Sequence, residues 1–156
     1  MRVKIDNPDG YGVEPQETMN ATSCSVEPIG VIRSALTDPE TAPRQGTDGA
    51  PDAWIELADR MAPGLLGMKV GDELLVLTWL HLAERDVLQV HPRGEPTRPL
   101  TGVFATRSPA RPNPIGLHRV TVLALEDRRL QVAPIEAVDG TPVIDIKCLL
   151  KSVDER

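Results

Sequence analysis

A chain of 156 residues, 40% hydrophobic and 26% charged, suits one domain with its own core and excludes a disordered polyelectrolyte. A net charge of −6 and only four aromatics, Tyr11, Trp54, Trp79 and Phe104, argue against a general polyanion binder and against an RNA reader built on aromatic stacking platforms. No apolar run approaches the roughly 18 residues of a membrane helix, the first residues lack a signal-peptide core, and Cys24 and Cys148 make neither a disulfide framework nor a four-thiolate zinc site; a cytoplasmic protein with reduced thiols is expected.

Residues 1–27 read as a polar, acidic leader without periodicity, expected to be mobile. The domain is expected over 28–150, with a short tail at 151–156. Ile29, Val31 and Ile32 around Gly30 predict a first strand, and Thr37–Pro51 reads as a long loop rich in turn residues. Asp52 is placed to cap a short helix with Trp54, Ile55, Ala58 and Met61 on one face, ended by Pro63-Gly64. ELLVLTWLHL after Gly71 has apolar residues of both parities, the pattern of a strand buried on both sides. Short strands follow at Val87–His91 and Gly102–Thr106, then Ile115–Leu125, a turn at Asp127–Arg129, a strand at Leu130–Ala133, an Asp139-Gly140 turn and a last strand over Pro142–Leu149. The fold class predicted is mainly β: a small mixed β-barrel with one short helix and long functional loops converging at one end.

Four segments carry candidate chemistry. In GVFATRSPARPNPIGL, residues 102–117, three prolines pre-set the backbone, Arg107 and Arg111 offer guanidinium forks, and Gly116 permits close approach of a ligand to the backbone. Between Arg93 and Arg119 five arginines face one acid, Glu95, a basic strip on an acidic chain. Pro43-Arg44-Gln45-Gly46 lies in the long loop. VDGTPVIDIK, residues 138–147, carries Asp139 and Asp145, which read either as ligand acceptors or as an Asx-type turn and an ion pair to a neighbouring strand. His81, with Glu84, Asp86 and His91, matches no zinc spacing, so no metal is expected. His118 reads as a structural histidine or a base. Dinucleotide, P-loop and hydrolase-elbow motifs are absent.

Together IGVIRS at 29–34, PRQG at 43–46, LTWLH at 77–81, GVFATRSPARPNPIGL and VDGTPVIDIK resemble the TsaA/YaeB family, also called TrmO, over residues 28–148. The resemblance implies a homodimeric S-adenosylmethionine-dependent methyltransferase acting on the exocyclic nitrogen of N(6)-threonylcarbamoyl-adenosine beside the anticodon of tRNA. Carried over by motif position, Pro43, Arg44, Gln45, His81, Leu82, Arg107, Leu117, Glu136, Ala137, Val138, Asp139, Gly140 and Thr141 would bind the cofactor. Asp139 is the first candidate base and Glu136 the second, and Arg111, Asn113 and His118 are candidates for substrate contact. A small-molecule acceptor, favoured by the altered DIKCLL ending, and a cofactor-binding module without turnover are the alternative functions.

Overall fold

The computed structural model describes residues 25–149; most of the leader expected at 1–27 and the tail expected at 151–156 lie outside the described residues. Eight strands run in chain order: β1 (Gly30–Ser34), β2 (Ala53–Leu57), β3 (Glu73–Trp79), β4 (Gln89–Val90), β5 (Thr101–Gly102), β6 (Ile115–Glu126), β7 (Arg129–Ala133) and β8 (Pro142–Cys148). Six of them bond in a closed ring in the order β1-β2-β7-β6-β3-β8, and β4 and β5 pair outside it. Every pairing is antiparallel, so the ring is not mixed in strand direction.

The ring follows from period-two patterning. Ile32, Ile55, Val76, Val122, Leu130, Val132 and Val143 are fully buried on its inner side, each contributing roughly 1.5–3 kcal/mol of apolar burial. A register shift between Val122 and Ala124 lets the twelve-residue β6 bend from β3 round to β7.

Two expectations change here. The helix predicted from Asp52 is strand β2 instead, with Ala53, Ile55 and Leu57 inward and Trp54 and Glu56 outward. The helical face and the alternating inward row share only Ile55, and β2 bonds to both β1 and β7, which no short helix could do for those edges. Within the predicted span, helical structure is confined to Asp59–Leu65, a 3-10 helix with Pro63 inside it; Met61, Leu65 and Met68 pack there against the core. β3 is buried on one side only. Leu74, Val76 and Thr78 are inward, while Leu75, Leu77 and Trp79 are half-buried on an outer face, where the Arg85 guanidinium lies 5.0 Å above the Trp79 ring.

Between β3 and β6 the chain makes short structure only. The strands expected at Val87–His91 and Gly102–Thr106 shrink to two residues each, and Val103–Ala105 is a 3-10 turn. No helix among the described residues is long and apolar enough to cross a membrane.

Candidate functional site

Strand parity puts a polar pair inside an apolar ring. On β3 the inward row ends in Thr78, and on β6 it begins with Gly116 and His118; Thr78 pairs with Gly116 and Val76 with His118. Thr78 is fully buried and His118 is 4% exposed. Their side chains meet at 2.9 Å, Thr78 Oγ1 to His118 Nε2. The other ring nitrogen, Nδ1, lies 2.9 Å from Glu136 Oε1. Glu136 follows β7, where buried Ile135 gives its N–H to the Pro51 carbonyl at 3.1 Å. Its carboxylate is partly exposed, at 21%.

Gly46, the last residue of the Pro43–Gly46 segment, sits over that carboxylate. A Cβ there would lie 3.2 Å from Pro134 and 3.4 Å from Glu136 Oε2. Pro43 is half-buried and Arg44 and Gln45 are exposed. The Glu95 carboxyl is held below its ordinary value of 4.5, first by its hydrogen bond from Arg98 and then by the charges of Arg98, Arg93 and Arg44.

The proline-arginine loop is built differently from the expectation for it. Arg111 turns inward and donates to three carbonyls: from Nε to Ser108 at 2.8 Å, and from Nη2 to Val103 at 3.0 Å and Thr106 at 2.7 Å. It clamps its own loop instead of presenting a fork. Neighbouring bonds fasten this loop to the segment after β3: Leu80 N–H to Pro114 O at 2.8 Å, Arg111 N–H to Glu84 O at 3.0 Å, and Arg85 Nε to Pro112 O at 2.9 Å. His81, Leu82, Arg107 and Asn113 are exposed along this joined edge, and Arg107 has no side-chain partner among the described residues. Leu117 lies on the outer face of β6, 45% exposed, opposite in parity to His118.

The basic strip is likewise divided. Arg119 pairs with Glu73 at 2.8 Å and Arg98 with Glu95 at 2.6 Å. With Arg111 clamped, Arg93 and Arg107 carry the open charge, together with Arg44.

Asp139 ties strand ends together. Its Oδ1 accepts the Ser34 N–H at 3.1 Å, its own N–H reaches Leu36 O at 2.6 Å, and Gly140 N–H reaches Ile32 O at 2.8 Å. Ala137, Val138 and Thr141 are buried, and the Thr141 hydroxyl donates to Val138 O at 2.7 Å. Asp145 pairs with Lys147 two residues on in its own strand, at 2.8 Å, not with a neighbouring strand. His91 Nδ1 is 2.7 Å from the Arg98 carbonyl and must donate to it. Among the described residues no group of three or more His, Cys, Asp or Glu is placed to hold a metal.

The structure thus joins Glu136 and His118 to the Pro43–Gly46 segment, and His81 and Leu82 to the Arg107–Asn113 loop. Thr78 and the steric role of Gly116 were missed. The signal was present: a threonine sharing parity with Leu74 and Val76 needs a buried partner, and His118 is the polar residue of matching parity on β6.

Comparison with known proteins places the chain. The family model for the tRNA-methyltransferase O N-terminal domain matches residues 31–155. An S-adenosyl-L-methionine-binding protein of Archaeoglobus fulgidus is 43% identical over 129 residues, 83% of this chain and 91% of that protein. A protein of Methanothermobacter thermautotrophicus, described as a probable S-adenosyl-L-methionine-binding protein, is 40% identical over 136 residues, 87% and 97% of the two chains. The crystal structure of TrmO from Pseudomonas aeruginosa superposes with a TM-score of 0.67 at 32% identity, covering 85% of this chain and 58% of that one. The chain thus spans under two thirds of the length of that solved TrmO.

Proposed function

Because the chain belongs to the family of the tRNA-methyltransferase O N-terminal domain, we propose that it is an S-adenosylmethionine-dependent methyltransferase acting on tRNA. The acceptor in this reading is the exocyclic nitrogen of N(6)-threonylcarbamoyl-adenosine. The observation that carries it is the Glu136 carboxylate, held by His118 beside the Pro43–Gly46 segment, in a chain 43% identical to a protein named for binding this cofactor.

The donor set fits the group. Arg44 and Arg107 offer unclamped guanidiniums for the cofactor's carboxylate, and Gly46 lets that segment lie close over Glu136. When bound, the cofactor would supply a sulfonium methyl to the acceptor nitrogen and leave as the neutral thioether, so that nitrogen has a proton to give up. Glu136 Oε2, which His118 leaves unoccupied, accepts that proton and releases it to water. The acceptor nitrogen is urea-like and weakly nucleophilic, so a positioned base contributes roughly 10²–10⁴-fold. Asp139 is the weaker candidate because its carboxylate already accepts the Ser34 N–H. Ile115 and Leu117, each 45% exposed on the outer face of β6, support a homodimer formed through the outer face of the ring.

Salt separates an RNA substrate from a small acceptor. With Arg93, and whichever of Arg44 and Arg107 the cofactor leaves free, as phosphate contacts, log affinity for tRNA should fall with log salt at a slope of roughly −1 to −2 per chain. A flat salt dependence with methyl transfer intact would point to a small-molecule acceptor, and saturable cofactor binding without transfer to a binding module.

A further inference from the structure

We propose that Thr78 and His118 are positioning residues for Glu136, with Gly116 present to let them meet. The inference rests on the methyl-transfer reading above and deepens it. A carboxylate only accepts hydrogen bonds, so the 2.9 Å contact with Glu136 Oε1 requires the hydrogen on His118 Nδ1. In the neutral ring Nε2 is then the acceptor, and the Thr78 hydroxyl donates to it across 2.9 Å. One tautomer and one hydroxyl direction are selected, and no buried side-chain polar atom among the described residues lacks a partner. The chain of bonds runs from the ring interior outward and ends at Oε2, the oxygen that faces Gly46.

Stability alone does not call for this arrangement. The inward row of β3 is Leu74, Val76 and Thr78, and a valine would fill the last place without a polar group to satisfy. Nor is it a tolerated accident, because β6 gives up a side chain for it. A Cβ at residue 116 would stand 2.4 Å from Thr78 Oγ1 and 2.8 Å from His118 Nε2, pressed against both bonded atoms. Glu136 itself follows Ile135 and precedes Ala137, both buried, so its backbone is fixed and the imidazole sets the direction of its carboxylate.

The test uses the full chain with Thr78→Val, which keeps shape and removes the hydroxyl, and Thr78→Ser, which restores it. Methyl transfer to threonylcarbamoylated tRNA is measured with cofactor Kd and tRNA KM. The ¹⁵N signals of the His118 ring are recorded on the same samples. Thr78→Val should lower kcat on the order of 10- to 100-fold with Kd and KM unchanged. Thr78→Ser should recover most of it, and the His118 Nε2 signal should shift in Thr78→Val alone, where that acceptor has lost its donor. An unchanged kcat in folded Thr78→Val, or a loss that serine does not rescue, overturns the proposal. If the wild-type chain methylates no acceptor, the methyl-transfer reading has failed, and the spectra then decide the positioning separately. A wild-type Nδ1–H tautomer that Glu136→Gln perturbs supports the chain of bonds, and a wild-type Nε2–H tautomer refutes it.

Discussion

Replacing Gly116 by alanine tests the packing on which the site depends. In an exposed strand the change would stabilise by about 0.4–1 kcal/mol, because it restricts the unfolded chain. Here the new methyl meets Thr78 Oγ1 at 2.4 Å, His118 Nε2 at 2.8 Å and Leu80 Cδ2 at 3.0 Å. Two of those atoms belong to short, buried side chains that cannot swing away. Parting them leaves a buried donor and acceptor unmatched, which costs about 1–3 kcal/mol, and overpacking adds roughly another 1–3 kcal/mol. Less the backbone gain, the net expectation is a loss of about 1–5 kcal/mol, a large share of the roughly 5–15 kcal/mol typical of a domain. Gly46→Ala is the comparison: its nearest contacts are 3.2 Å rather than 2.4 Å, so Pro134 has only a few tenths of an ångström to give and the loss should be smaller than that of Gly116→Ala. Urea unfolding of the three proteins, with midpoints and m-values compared, measures both. A Gly116→Ala protein within about 1 kcal/mol of the parent would refute the reasoning.

Two further predictions concern the scaffold. Arg111→Ala removes the donor to the Ser108, Val103 and Thr106 carbonyls, so the Val103 and Thr106 amides should exchange with solvent roughly 10- to 100-fold faster; unaltered exchange would show that the prolines alone hold the loop. Glu56 is held below its ordinary 4.5 by its hydrogen bond from Arg33, then by that from Arg128. A lowered carboxyl value stabilises above the unfolded value and loses that contribution as pH falls through the folded one. Glu56→Gln should therefore melt lower than the parent at pH 7, with the two curves converging as the pH drops below about 4.5; a gap that widens with acid would contradict the pairing.

Much of the fold is legible in hydrophobic parity, and the places where legibility fails share a cause. β6, β7 and β8 appear in the sequence near their observed limits because a turn dipeptide or a charged turn brackets each one. At Ala53–Leu57 an alternating row, Ala53, Ile55 and Leu57, crosses a helical row, Trp54, Ile55, Ala58 and Met61, at Ile55, and the choice is made by β1 and β7, which lie on either side of β2 in space but far from it in sequence. β3 looks buried on both sides because Leu75, Leu77 and Trp79 are apolar, yet the ring has no second layer to cover them. In the site, motif positions identify the loops but not what each side chain does there. Arg111 and Arg107 are four residues apart in one arginine-proline motif, and only the folded loop shows that one clamps carbonyls while the other stays open. Gly116 suggests a ligand at its backbone until β3 is paired beside it; the neighbour is the hydroxyl of Thr78.

The central claim is methyl transfer to a modified adenosine with Glu136 accepting the proton. The most direct measurement incubates the chain and its Glu136→Gln variant with labelled S-adenosylmethionine and two tRNAs, one carrying the threonylcarbamoyl group and one unmodified. Digested nucleosides are read by mass spectrometry. A methylated threonylcarbamoyl-adenosine is expected from the modified tRNA only, formed on the order of 10²-fold or more slowly by Glu136→Gln. Product on the unmodified tRNA, or full activity in the variant, would contradict it.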